Sequence, residues 1–274
     1  MQFEPLTPNI GAEVVGVDMA QTMSEDQTAE LRAGLVEHKV LFFRDQTVTQ
    51  AEHVAFARHF GELEVHPFTE NLADFPEVIR LHNDAKNKPG GTAQWHSDVT
   101  WREEPSLGSI LLCRTCPPDG GDTLFANMEI AYELLEDGVK DKIDGLFAVH
   151  DFEAFRRGLI KRGATEGEIE AFDQKYPLAW HPVVRTHPES GRKSIYVNCI
   201  FTQYIEGMER SESDLLLQQL YQQAWIPHVQ CRFKWQANSV AFWDNRAAQH
   251  HAVADYFPHS RTMERVTVVG ERPH

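Results

Sequence analysis

Short runs of β-forming residues crowd the second half of this chain, with no helix between most of them, and this constrains its fold most. The runs include "VLFF" (Val40 to Phe43), "EVIRLH" (Glu77 to His82), "SILLCRT", "DTLFA", "SIYVN" (Ser194 to Asn198), "VQCRFKW" (Val229 to Trp235), "SVAFWD" (Ser239 to Asp244) and "ERVTVVG" (Glu264 to Gly270). Parallel strands need a crossover helix between each pair, whereas antiparallel strands need only a turn. "HPESGRK" (His187 to Lys193) between apolar runs reads as such a hairpin turn. The pattern predicts a mainly β fold with flanking helices: an antiparallel double sheet closed as a jelly roll or barrel. Helix signals fall at Ser24-Glu25-Asp26-Gln27, running to about His38, and at Thr49-Gln50-Ala51-Glu52, running to Gly61; both openings resemble capping boxes. "NMEIAYELLEDG", ending at Gly138, and Ser211 to Trp225 read as two further helices. No linker divides the chain, so residues 1–274 are expected to form a single domain.

Charge narrows the partners. The 274 residues carry a formal net charge of −15 and a pI near 5.3. That argues against nucleic acid and anionic membrane surfaces, which require a basic face. It leaves room for a small anionic organic substrate held by a few local arginines, and it is compatible with a homo-oligomer. No apolar run approaches the roughly 18 residues of a membrane span, and "MQFEPLTPNIG" has no basic leader region. Cys113, Cys116, Cys199 and Cys231 are too few for a disulfide scaffold in a chain of this length. They read as reduced thiols, and the expected compartment is the cytoplasm.

The chemistry begins at "QWHSDVTW". In an extended chain His96 and Asp98, at i and i+2, share a face, so an imidazole and a carboxylate would enter one pocket. Such a pair is common by chance and becomes a metal site only with a third ligand. "WDNRAAQHHAVADY" offers His250 and His251; neighbours on a strand face opposite ways, so at most one of them joins. Two His and one carboxylate on one face suit an oxygen-using Fe(II) with open positions, though zinc accepts the same donors. Further on, Arg261 and Arg265 share a face if extended. They pair either with acidic neighbours such as Glu264 and Glu271, or with small carboxylates or other anions by fork-shaped hydrogen bonds. Thr123, after the tight turn at Gly120-Gly121, supplies a hydroxyl at a strand start.

The motifs "WHSDVTWREEP", "GGDTLFA", "HPVVRTHPESG", "WDNRAAQHHAVADY" and "RTMERVTVVGERP", with "NIGAEVVGVD", "FFRDQ" and "FGELEVHP" near the N-terminus, span nearly the whole chain. Together they resemble the taurine dioxygenase branch of the Fe(II)/2-oxoglutarate-dependent dioxygenases. The resemblance implies a double-stranded β-helix, with Fe(II), 2-oxoglutarate as cosubstrate and O2. It assigns iron to His96, Asp98 and His250, leaving His251 to packing. It assigns the distal carboxylate of 2-oxoglutarate to Arg261 and Thr123. It also implies hydroxylation of a small organosulfonate such as taurine, with release of sulfite, aminoacetaldehyde, succinate and CO2.

On the substrate side the resemblance points to His66 and Arg265 for the sulfonate, with Val99, Phe201 and Thr92 completing the pocket. An Asn is expected where Thr92 stands, a Tyr where Thr69 stands, and Ser-Phe where Phe155-Arg156 stand. The anion clamp is kept while the amine end is altered. Alkyl sulfates and aryloxyalkanoates therefore stand as alternative substrates. Trp95, Trp101 and Phe201 are candidates for dry walls or for plain core. A silent metal-binding jelly roll and a zinc hydrolase are the contrasting readings, and neither needs a clamp for 2-oxoglutarate.

Overall fold

The computed structural model describes residues 1–67, 71–88 and 93–274, and of Ala154 the backbone alone. The first half contributes β1 (Gln2–Pro5), β2 (Ala12–Val15), α1 (Glu25–His38), β3 (Val40–Phe43), α2 (Gln50–Arg58), β4 (Val78–Asn83), β5 (Gly108–Thr115), β6 (Thr123–Asn127), α3 (Met128–Glu133) and α4 (Asp137–Ile143). There follow β7 (Phe147–His150), α5 (Glu153–Lys161), α6 (Glu166–Lys175), β8 (Ala179–Pro182), β9 (Val184–Thr186), β10 (Lys193–Ile195), β11 (Thr202–Ile205), α7 (Arg210–Tyr221), β12 (Gln230–Phe233), β13 (Val240–Asp244), β14 (Ala248–Ala252) and β15 (Arg261–Val268).

Among the described residues the large sheet runs β1-β2-β3-β13-β5-β15-β4, and β12-β6-β14 form the facing sheet. All these pairings are antiparallel except β2 with β3. This is the double-sheet jelly roll that the strand pattern predicts. Its interior between the sheets is filled by Phe42, Phe125, Phe233, Trp235, Trp243, Met263 and their neighbours. A second apolar cluster packs the large sheet's outer face against α1 and α2 through Leu31, Leu35, Val54 and Phe56. Both helices start as the sequence indicates, with Ser24 and Thr49 each closing a capping box.

Three elements differ from the sequence reading. "NMEIAYELLEDG" is two helices, α3 and α4, broken between Glu133 and Asp137, so Gly138 lies inside a helix rather than ending one. Of "SIYVN" only Ser194 and Ile195 are in a strand, β10. Asn198 instead accepts backbone N–H groups of Ile200 and Phe201 in a turn. The helices α5 and α6 were not anticipated, although α5 is amphipathic and Thr165 with Glu168 closes a capping box at the start of α6; of their described side chains only Phe172 is buried. The hairpin turn at His187 to Lys193 is present, joining the antiparallel β9 and β10.

Candidate active site

The turn between β13 and β14 fixes where His250 points. Arg246 donates from Nε and Nη2 to the two oxygens of Asp244, at 2.8 and 2.7 Å. His187 Nδ1 accepts the backbone N–H groups of Glu189 and Ser190, so Nε2 carries the proton and donates to Asp244 at 3.0 Å. These charges are buried and mutually satisfied, so they hold the turn rigidly.

From this turn β14 brings His250 opposite His96. The two residues exchange backbone hydrogen bonds at 2.8 and 3.1 Å, and their ring centroids lie 4.2 Å apart. His96 Nδ1–H donates to the Gln94 carbonyl at 2.8 Å. That bond places the proton on Nδ1 and leaves the Nε2 lone pair for a ligand. His96 Nε2 is 3.7 Å from Asp98 Oδ1, and one ligand atom from each of His96, Asp98 and His250 falls within 4.8 Å of the others.

Asp98 reaches this position by a route the sequence reading did not foresee. His96 is extended, but Asp98 opens a turn in which Val99 has φ +50°. A β-branched side chain in the left-handed region costs on the order of 1–3 kcal/mol. Asn245 offsets that cost by gripping both sides of the Asp98 backbone. Its Oδ1 accepts the Asp98 N–H at 2.6 Å, and its Nδ2 donates to the Asp98 carbonyl at 2.9 Å. The Asp98 carboxylate accepts from Ser109 Oγ at 3.0 Å and from Arg265 Nη1 at 3.1 Å to each oxygen. Burial alone would raise its pKa, but Arg265, the two imidazoles and Ser109 hold it well below the usual carboxylate range. The carboxylate is therefore ionised and available to a cation.

His251 faces away from this cluster, its ring 5.6 Å from that of Trp95. Trp95 belongs to the apolar cluster on that side and does not line the site, so of its two readings, wall and plain core, the core one holds. The site opens into a cavity of about 460 Å³ lined by His96, Asp98, His250, Thr123, Arg261, Arg265, His66, Val99, Phe201, Trp101, Phe152 and Trp243 among others. Thr92 and Thr69 lie outside the described residues.

Arg261 and Arg265 alternate with Met263 on β15, so both face the cavity. Glu264 points to the opposite face and pairs there with Arg114 at 2.7 Å, while Glu271 pairs with Arg185. The alternative of surface ion pairs for the two arginines thus fails. Arg261 is 8% exposed, has no carboxylate partner among the described residues, and its Nε–H has no acceptor there. Its guanidinium lies between the rings of Trp235 and Tyr256, 5.8 and 5.7 Å from their centroids. Trp235 Nε1–H donates to Thr123 Oγ1 at 3.0 Å, which leaves the Thr123 hydroxyl proton free to donate. Gly121, at φ +72°, permits this crowding, since a Cβ there would meet Tyr256 and Arg261 at 3.1 and 3.2 Å. An unpaired buried guanidinium is costly unless an anion joins it.

His66 also lines the cavity. Burial, then Arg265 and Arg102, push its imidazole down to about 4 against the opposing pull of Asp98. His66 is therefore neutral at pH 7 and brings no charge to the cavity. Arg156 is held by Asp151, Glu153 and Asp173, and Phe155 stacks on Phe152, so Arg156 adds no free charge to the pocket.

The sequence reading missed Asn245, Ser109 and Trp243. "WDNR" was visible as a motif, but its contact with Asp98 was not. Among the described residues no helix is long and apolar enough to cross a membrane, and the four cysteines are free thiols.

A family model described as "Taurine catabolism dioxygenase TauD, TfdA family" matches residues 2–267. The chain belongs to the TauD/TfdA dioxygenase family. A sulfate ester dioxygenase of Pseudomonas putida, named as alpha-ketoglutarate-dependent, is 34% identical over 100% of this chain and 91% of its own. An alkylsulfatase of Acinetobacter baylyi is 35% identical, covering 99% and 86%. Among solved structures, a taurine dioxygenase from Burkholderia xenovorans superposes with TM-score 0.85 at 38% identity, covering 99% and 90%. This TauD/TfdA chain is an Fe(II)- and 2-oxoglutarate-dependent dioxygenase. The donor set fits that metal: two imidazoles and one carboxylate leave neighbouring positions open, and no thiolate competes.

Proposed function

We propose that this dioxygenase oxidises the carbon beside the anionic group of a small organosulfur compound, a sulfonate or a sulfate ester. The supporting observation is two guanidiniums, the buried Arg261 and the half-buried Arg265, on one wall of a cavity that also holds the His96, Asp98 and His250 cluster, each with a buried Nε–H lacking an acceptor among the described residues. Arg261 has no counter-anion among the described residues, and Arg265, though paired with Asp98, keeps a buried N–H for a second one. 2-Oxoglutarate supplies one distal carboxylate for Arg261 and Thr123. The substrate anion takes Arg265 and His66, close to the metal cluster because Arg265 already touches Asp98.

His96, Asp98 and His250 would hold Fe(II), which when bound activates O2 as 2-oxoglutarate is oxidatively decarboxylated to succinate and CO2. Val99, Trp101, Phe152 and Phe201 form the apolar side that keeps water from the reacting carbon. One oxygen atom enters succinate and the other becomes the hydroxyl. A 1-hydroxyalkanesulfonate then collapses to an aldehyde and sulfite, and a hydroxylated sulfate ester to an aldehyde and sulfate.

The test is succinate, sulfite and sulfate formation under air with Fe(II) and 2-oxoglutarate. Taurine is the reference sulfonate, with hexanesulfonate, hexyl sulfate and phenoxyacetate beside it. Asp98 is the one carboxylate among the described lining residues, and it is committed to Arg265, so an ammonium group finds no anionic partner there. The amine-free organosulfur compounds are therefore expected to exceed taurine in kcat/KM. Succinate driven by phenoxyacetate, with no sulfite or sulfate from any organosulfur compound, rejects this substrate class and leaves the dioxygenase assignment intact.

The His66 environment sets a pH expectation opposite to that of a cationic anchor. Because its folded pKa is depressed to about 4, its protonation state does not change between pH 6 and 8. Substrate KM should stay flat across that window. A steep rise in KM from pH 6 to 8 that His66→Asn removes would show that the bound anion restores a charged imidazole.

A further inference from the structure

The geometry points to a role for Trp243: we propose that its indole N–H donates a hydrogen bond to the 2-oxoglutarate carboxylate at the metal end of the cavity. The inference rests on the reading that Arg261 and Thr123 hold the other carboxylate.

Trp243 is 1% exposed and lines the cavity. It sits on β13 in the middle of the large sheet, paired with Val40 on one side and Ser109 on the other. Its ring lies 4.8 Å from that of His250 and 5.7 Å from that of Phe125, centroid to centroid. Its Nε1–H is buried and has no acceptor among the described residues. Buried indole N–H groups ordinarily find a partner. Another buried tryptophan here does: Trp235 donates to Thr123.

A Phe at position 243 would fill much of the same space with no polar atom, so packing alone does not explain an indole whose donor is left unmade. The same wall carries two more such donors, Arg261 Nε and Arg265 Nε. Ionised 2-oxoglutarate has five oxygens and no donor, so it is complementary to a wall of unmet donors. Arg261 belongs to the end of the cavity built by Thr123, Trp235 and Tyr256. Trp243 lies against the candidate ligand His250. Its N–H is thus an unmet donor at the end where the cosubstrate meets the metal, beside His250, and it fixes the orientation of the carboxylate there.

Trp243→Phe removes the N–H and also some packing from the core, so the metal-free variant is expected to melt below wild type, and the role is separated from packing by the binding constants. The shift produced by Mn(II) alone should be unchanged. The dissociation constant for 2-oxoglutarate, titrated anaerobically with Fe(II) through the charge-transfer band, should rise tenfold to about a hundredfold, the size of a hydrogen bond to a charged group. N-oxalylglycine, a non-reacting analogue, should lose thermal stabilisation in parallel. A 2-oxoglutarate constant within twofold of wild type overturns the proposal, as does an equal loss of metal and 2-oxoglutarate affinity. Should the Phe variant fold poorly, a benzothienyl side chain at position 243 keeps the bicycle and deletes the N–H, with the same outcomes deciding. Absence of any 2-oxoglutarate band in the wild-type enzyme would instead overturn the functional reading itself.

Discussion

His250→Ala should reduce Fe(II)-dependent turnover to the metal-free background, while His251→Ala should retain most of it. The two residues are adjacent on β14 and identical in chemistry, so the difference is purely directional. His250 faces His96 across a ladder bridge and shares the 4.8 Å cluster with Asp98, whereas His251 packs toward Trp95. Losing one of three protein ligands leaves two, too few to hold a labile divalent ion in a position that must also accept cosubstrate. Succinate formation gives the activity readout, and equilibrium dialysis against Mn(II) gives binding without turnover. Activity kept by His250→Ala and lost by His251→Ala would invert the strand register assigned to the site.

Arg261→Ala should raise the 2-oxoglutarate dissociation constant far more than the substrate KM. Deleting one member of a buried, hydrogen-bonded charge pair costs about 2–5 kcal/mol, which is roughly a thirtyfold to several-thousandfold change in affinity. Arg261→Lys should recover only part of this, because an ammonium lacks the planar fork that matches a carboxylate. Without 2-oxoglutarate, Arg261 has no carboxylate partner among the described residues and ring contacts to lose, so its removal should change the melting temperature far less than it changes 2-oxoglutarate affinity. Unchanged 2-oxoglutarate affinity in Arg261→Ala would remove Arg261 from the clamp.

The structure also gives Arg265 two demands. The sequence presents it as an anchor for the substrate anion. In the fold its Nη1 already bonds both oxygens of Asp98, and its Nε–H is a buried donor with no acceptor among the described residues. A substrate anion bound there therefore sits within one side chain of the metal carboxylate. Arg265→Ala should accordingly disturb metal affinity as well as KM.

What the sequence determined by itself was what local chemistry specifies. Most of the short apolar runs became strands of two facing sheets, continuously buried in β3, β13 and most of β5, because β-forming content acts within a few residues. Ser24 and Thr49 capped their helices because a capping box is closed by residues three apart. The His-x-Asp pair, the late His pair and the two arginines on one strand were legible because each lies within a short segment. The failures fall where local signals compete or vanish. The break between α3 and α4 and the irregular end of "SIYVN" carry no strong period, while the amphipathic α5 and the capping box of α6 were local signals left unread. What only the tertiary structure decided depends on residues distant in the chain. Asn245 is 147 positions from Asp98 and holds its backbone, allowing the Val99 turn that swings the carboxylate toward His96. Arg265, 167 positions from Asp98, holds its carboxylate ionised. The neutrality of His66 and the unmet N–H of Trp243 follow from burial and from the charges that happen to surround them, and folding alone sets both.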